Sequence, residues 1–179
     1  MAWTAPMTAV ANSVFTAAQF NTHVRDNLLE TAPAKATTAG RLIVTAGANS
    51  IVERAIASDA IATTQTTGST AFTDLATVGP SVTVTTGSSA ILLWSALMSN
   101  STAAANTYVD YAVSGATSRS PSDASSLRFK SDTGGQELRA GQVMYEGGLT
   151  PGSNTFKLQY HVNGGTGSFG DRRLTVIAL

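Results

Sequence analysis

From Thr70 onward, short segments that alternate between apolar and polar residues are separated by glycine-rich turns, and this pattern restricts the fold most strongly. Residues 155–162 are the clearest case, with apolar side chains at every even position and polar ones at every odd position. A half-buried β-strand has this period of two. Some eight such strands without an intervening helix predict a jelly-roll-like antiparallel β-sandwich.

One segment of this region departs from the alternation. Residues 90–98 (AILLWSALM) are apolar at every position except Ser95. A strand that is covered on both faces has such a composition. We therefore expect a central, fully covered strand here.

The only clear helical period lies upstream, in residues 14–33. Thr16, followed three residues later by Gln19, has the pattern of a capping box at a helix start. Pro33 predicts the end, because proline disfavours helix in the residue before it and cannot extend the hydrogen-bond ladder. The pattern predicts one short helix over about 16–31.

The predicted helix has a single apolar stripe. Phe20, Val24 and Leu28 recur at i, i+4 and i+8 and would share one face, with Arg25 and Asp26 as polar contacts near it. A helix of about four turns is too short to be stable alone in water. The stripe therefore needs a surface to bury against, in this chain or in another.

Two further segments complete a predicted N-terminal arm over residues 1–60. An extended tail carries Trp3, and a β-hairpin over about 41–56 turns at residues 47–50. The head domain would then cover residues 61–179, with a threonine-rich connection at 60–69. The candidate interface residues of the arm are Trp3, Phe15, Phe20, Val24, Arg25, Asp26 and Leu28.

The composition of the chain limits the kinds of partner and metal site that it can have. The chain has 11 basic and 11 acidic residues and only 12% charged residues, so it lacks the basic excess of a nucleic-acid binder. It has no cysteine, which excludes disulfides and thiolate metal sites. The longest apolar run is too short to span a bilayer, and the N-terminus lacks the features of a signal peptide. We expect no nucleic acid and no membrane insertion, with synthesis in the cytoplasm.

No constellation for catalysis stands out. The sequence contains no nucleophile elbow, P-loop, dinucleotide fingerprint or zinc-protease motif. His23 and His161 are interpreted as solvated or interface residues, and no cofactor is expected. A calcium site stays open, because two carboxylates and loop carbonyls suffice. Alternation would point one residue of Arg172-Arg173 outward, and we expect the other to pair with an acid at an interface.

The chain resembles bacteriophage virion proteins, particularly minor tail, fibre and decoration proteins of phages that infect actinobacteria. The arm carries this resemblance in residues 15–21 (FTAAQFN), 23–28 (HVRDNL), 33–40 (PAKATTAG) and the hairpin 41–55. The head carries it in residues 78–82 (VGPSV), 149–156 (LTPGSNTF) and 171–176 (DRRLTV). These motifs are structural rather than catalytic.

The resemblance implies a non-enzymatic virion structural protein that forms homo-oligomers, often trimers. The arm would attach to a major capsid protein or tail protein of the same virion, and the head would face outward. Because no long fibre repeat separates arm and head, a capsid decoration protein is favoured. The alternative is a tail or fibre tip that binds a host receptor or cell-surface glycan through loops 99–106 and 118–126. A depolymerase would need paired carboxylates at catalytic spacing, which the sequence does not show.

Overall fold

The computed structural model describes residues 3–179 and divides the chain into two units. The first unit extends to Ala55 and includes Leu179, and the second covers Ile56–Ala178. The sequence prediction placed this division at residues 60/61. The boundary lies earlier because residues 56–61 form an edge strand in a sheet of the second unit rather than the end of a hairpin.

The first unit contains a broken helix and a hairpin. Its elements are α1 (Ala17–Phe20), a π-helical turn (Asn21–Arg25), α2 (Asp26–Leu29), α3 (Ala32–Lys35), β1 (Leu42–Gly47) and β2 (Ser50–Arg54). The predicted capping box is present, since Thr16 and Gln19 exchange hydrogen bonds. Pro33 lies in the first turn of α3, where its missing N–H is not needed, so it starts a helical turn instead of only ending one.

The second unit consists of nine strands in two antiparallel sheets. They are β3 (Ile56–Ile61), β4 (Gln65–Thr67), β5 (Ser81–Thr86), β6 (Ser89–Asn100), β7 (Asn106–Gly115), β8 (Leu127–Lys130), β9 (Glu137–Gly147), β10 (Gly152–Val162) and β11 (Gly167–Ala178). Over the described chain about 50% of residues are in strands and 10% in helices. The prediction of a mainly β protein is therefore confirmed.

The connectivity of the two sheets is that of a jelly roll. One sheet has the order β5-β10-β7-β8, and the other has the order β3-β11-β6-β9, with β4 also paired to β11. If β3 and β4 are counted together as the first of eight strands, these orders become 2-7-4-5 and 1-8-3-6. Two interleaved Greek keys give this arrangement, which confirms the predicted sandwich type.

The core lies between the two sheets and follows the alternation of the strands. In β10 the predicted inward set is buried, namely Phe156, Leu158, Tyr160 and Val162. Trp94 of β6 packs edge-on against Tyr111 of β7, with ring centroids 5.3 Å apart. Each large side chain buried in this way contributes about 1.5–3 kcal/mol relative to exposure.

Strand β6 is central in its sheet but is covered on one face only. Its even-numbered residues are buried, whereas Ile91, Leu93 and Leu97 on the outer face are partly exposed, Leu93 by 37%. The prediction of a fully covered strand is wrong at this point. A two-layer sandwich covers only the inner face of each sheet, so the apolar outer face of β6 has no second layer.

Strand β11 contains a bulge that decides which of its side chains enter the core. Gly170 lies opposite Leu97 and Arg173 opposite Ser95, so Asp171 and Arg172 together face one residue of β6. An extra residue shifts the side-chain alternation by one position. Arg172 is consequently fully buried, and Arg173 is exposed.

The buried guanidinium of Arg172 binds backbone carbonyls rather than a carboxylate. Its Nη1 donates to the carbonyl oxygens of Thr77 and Gly79 at 3.2 and 3.1 Å, and its Nη2 donates to that of Thr63 at 3.3 Å. The expectation that the inward arginine pairs with an acid is wrong. The residue instead ties the segments before β4 and before β5 to β11.

We predict that R172M lowers the free energy of unfolding by about 2 kcal/mol or more, because the hydrogen bonds from the buried guanidinium to three carbonyls are lost and a bond to a charged group contributes about 1.5–3 kcal/mol. Urea titration followed by circular dichroism measures this change. The control R173M alters the exposed neighbouring arginine and should stay within about 0.5 kcal/mol of the unsubstituted protein. Equal stability of the two variants would contradict the role of Arg172.

Candidate attachment surface on the first unit

In the first unit the fully buried residues are polar, whereas many large apolar side chains are exposed. Within the described residues 3–55, the buried side chains are those of Asn27 and Glu30, and both are polar. The exposed large apolar residues of this unit are Trp3, Val10, Val14, Phe15, Phe20, Leu28, Leu29 and Ile43. Exposure of so many apolar side chains on a small unit is typical of a surface that binds another macromolecule.

The predicted stripe is present in altered form. Phe20 and Leu28 are 49% and 61% exposed, whereas Val24 is half-buried. The π-helical turn lies between Phe20 and Leu28 and makes i→i+5 hydrogen bonds, one of them from Asp26 to Asn21. It rotates the following turn by about 100° relative to a straight α-helix. The three residues therefore do not form one straight face.

The other candidate interface residues are also accessible. The rings of Phe15 and Phe20 meet edge-on, with centroids 6.2 Å apart, and so form a joint aromatic projection. Trp3 is 41% exposed. Arg25 and Asp26 bind each other, with Nε and Oδ1 2.8 Å apart. Each charge of this pair is therefore partly neutralised by its neighbour.

The side chain of Asn27 fixes the N-terminal tail to the helix. Its Oδ1 accepts the N–H of Thr4 at 2.9 Å, and its Nδ2 donates to the carbonyls of Thr4 at 2.9 Å and His23 at 3.1 Å. The N–H of Trp3 also donates to the carbonyl of Asn49 in the hairpin turn, at 3.0 Å. The tail is thus held by both helix and hairpin, which places Trp3 beside them.

Glu53 of β2 provides a second polar tie, to the segment after α3. Its carboxylate accepts the N–H of Thr38 at 2.9 Å and the hydroxyl of Thr37 at 3.0 Å, and it also accepts the N–H of Thr37. The hydrogen bond from the Thr38 amide, which outweighs desolvation, lowers the pKa of Glu53 below its ordinary value. Hydrogen bonds to the charged form favour that form.

In the second unit, a cluster of polar and charged side chains around Asp110 holds a loop in place. The buried Oδ2 of Asp110 accepts the N–H of Ser122 and the hydroxyl of Ser125, both at 2.8 Å, and Arg119 lies 3.5 Å away. These contacts hold residues 118–126 against β7. The loop that sequence reasoning offered for glycan binding therefore directs several of its polar groups toward the sheet.

A neighbouring tyrosine joins the same cluster. The hydroxyl of Tyr111 donates to Glu146, and the guanidinium of Arg119 lies 4.2 Å from the centre of the Tyr111 ring. Burial, together with the bond to Glu146, raises the pKa of Tyr111 above its ordinary value. This tyrosine stays protonated at neutral pH and acts as a hydrogen-bond donor.

His161 is on the outer face of β10 as predicted, but it is not solvated. Its ring stacks on Tyr108 at 4.2 Å and meets Phe72 edge-on at 4.3 Å. Its Nε2 lies 2.7 Å from Oδ1 of Asp123. Sequence reasoning missed this burial because Phe72 and Asp123 come from loops far away in the chain.

The tyrosine and tryptophan side chains of the second unit do not share one exposed surface on which a sugar ring could stack. Tyr108, Tyr111, Tyr160 and Trp94 are buried, and Tyr145 is 66% exposed. Across residues 3–179, no helix is long and apolar enough to cross a membrane. No three histidine, aspartate or glutamate side chains of the described chain gather as metal ligands.

Neither a protein-family model nor a curated protein matches this sequence.

We predict that N27A frees the tail. Loss of the paired bonds to Thr4 should speed hydrogen exchange of the Thr4 amide by about tenfold, since each net hydrogen bond contributes about 1 kcal/mol. Exchange measured by NMR tests this prediction. Asn21 lies in the same helix and makes none of the contacts with Thr4, so N21A is the matched control; equal protection in both variants would contradict the anchor.

We also predict a pH-dependent loosening of the segment after α3. Because the folded pKa of Glu53 is depressed, its contribution to stability is present above the unfolded value of about 4.3 and is lost as the pH falls through the folded pKa. The carboxyl carbon of Glu53 should titrate by NMR below about pH 4.3, with the amide of Thr38 shifting in parallel. In E53Q the Thr38 amide should not follow such a titration; persistence of the same shift would assign it to another group.

Proposed function

We propose that the chain is a non-enzymatic structural protein of a phage particle, a capsid decoration protein located on the virion surface. Its first unit binds the assembled shell, and its jelly-roll unit is displayed outward. The observation that carries this proposal is that the fully buried residues of the first unit, Asn27 and Glu30, are polar, while large apolar residues such as Phe20 and Leu28 are exposed.

The energetics support an attachment role for these apolar side chains. Burying one large apolar side chain that is fully exposed is worth about 1.5–3 kcal/mol, and about half of that is available to residues already half-covered. Several such residues on one small unit together supply enough for stable binding. A protein that binds assembled shell but not free shell subunits stabilises the particle by mass action.

The low charge of the chain fits the same role. Charged residues make up 12% of the sequence, and the formal net charge is zero. Such a surface repels neighbouring copies weakly. Many copies can therefore be placed close together on one particle.

The test compares binding to shells that lack this protein. The double variant F20S/L28S should bind at least about tenfold more weakly than the unsubstituted chain in a co-sedimentation assay, because each substitution removes about 1 kcal/mol or more of burial. Ala18 is an exposed residue of α1, so A18S is a matched polar substitution on the same helix and should leave binding unchanged.

Undiminished binding of F20S/L28S would contradict a role of Phe20 and Leu28 in attachment.

A variant that lacks the first unit should be deleted up to residue 55, because β3 begins at Ile56 and pairs with β11. Removal of residues 56–60 would damage the sheet and would not report on attachment.

A further inference from the structure

The outer faces of the two sheets of the second unit differ in character. On the β5-β10-β7-β8 sheet the outer face is polar; Asp74, for example, binds Lys157 at 2.8 Å and Gln159 at 3.1 Å. On the β3-β11-β6-β9 sheet the outer face is largely apolar, and Val143 and Tyr145 are 64% and 66% exposed. An antiparallel sheet that faces water normally carries polar residues there.

The strand register arranges this apolar face in three rows across four strands. The isoleucine row consists of Ile56, Ile177, Ile91 and Tyr145. The valine row consists of Ser58, Thr175, Leu93 and Val143. The glycine row consists of Ala60, Arg173, Ser95 and Gly141.

The isoleucine row projects and the glycine row is recessed. The isoleucine row carries the large side chains at all four positions, whereas three of the four residues in the glycine row are small. A hollow of about 290 Å³ lies at the glycine row, lined in part by Leu93, Ser95, Gly141 and Val143. The two rows lie at equal distances on either side of the valine row.

We propose that this face binds a second copy of the same chain about a two-fold axis that runs along the valine row. Such an axis places each strand over the equivalent strand of the second copy, and the two strands run in opposite directions. Leu93 then meets Leu93 of the second copy, Ile91 meets Ser95, and Tyr145 meets Gly141. Three of the four residues in the isoleucine row then face a small residue of the other copy, and Ile177 faces Arg173. The match of large to small residues at those three positions is the self-complementarity that an isologous interface needs.

The charges on the face are compatible with this pairing. Arg173 is the one charged residue in the three rows, and it is exposed. In the proposed dimer the two copies of Arg173 are four residues apart along the strands, about 13 Å, and lie in sheets about 10 Å apart. This separation keeps the two charges out of direct contact, and their remaining repulsion, which is screened less in an interface than in open solvent, weakens the dimer.

The size of the face predicts a weak dimer. Four strands and three rows cover about 20 Å by 20 Å, or about 400 Å² for each copy. An apolar patch of this size is often functional, but the total is below that of a stable interface. We therefore expect a monomer–dimer equilibrium with a dissociation constant of tens of micromolar, as an order of magnitude.

Sedimentation equilibrium of the full chain, from about 1 to 200 µM, tests the association. The unsubstituted protein should fit a monomer–dimer model, and V143K should weaken the dimer at least about tenfold by placing like charges opposite each other on the axis. Ser114 lies exposed on the outer face of the other sheet, so S114K should dimerise normally. F20S/L28S should also dimerise normally, which separates this surface from the arm. Circular dichroism checks that each variant is folded.

Cross-linking tests the geometry directly, because the chain has no cysteine of its own. A short bis-maleimide should join L93C to itself, and it should join I91C to S95C in a mixture much more than either variant alone. S114C should give only background cross-linking. A protein that stays monomeric, forms trimers, loses the dimer in F20S/L28S or fails to cross-link through L93C would overturn the proposed pairing.

Discussion

The bulge in β11 is the constraint on which the second unit depends. It allows Phe169 and Leu174, which are an odd number of residues apart, to point into the same core. It also turns Arg172 inward, where the guanidinium binds carbonyls that precede β4 and β5. These segments lead into separate sheets, so one buried charge joins the two layers. Without the bulge, the side chains after Gly170 that now point into the core would point to the outer face, and those on the outer face would point into the core.

The two units are stabilised by different interactions. In the sandwich, aromatic and aliphatic side chains fill the space between sheets, and polar clusters such as that of Asp110 fix the loops on the outside. In the first unit, hydrogen bonds to and from the side chains of Asn27 and Glu53 hold the segments, and many large apolar residues remain exposed. Polar contacts of this kind can position a surface without covering it.

Both surfaces that we assign to binding are apolar surfaces that the fold leaves uncovered. The exposed apolar side chains of the first unit lie mainly on the tail and the helical segment, whereas the three rows of the β3-β11-β6-β9 sheet form one face of a sheet. The low proportion of charged residues favours both contacts, because few charged groups have to be desolvated. A particle protein that attaches by one surface and meets a neighbour through another would combine these features.

Local pattern determined much of this structure. The alternation at residues 155–162 predicted β10 and its buried side chains, the glycine-rich turns predicted a sandwich, and the Thr16–Gln19 pair predicted the helix start. The accessible side chains of Phe20 and Leu28 were also named from sequence. Tertiary structure alone decided that β6 is covered on one face, that Arg172 rather than Arg173 enters the core, that His161 is buried and that Ile56 belongs to a sheet. Each of these depends on a partner distant in the chain or on one extra residue in a ladder, and a local period contains no information about either.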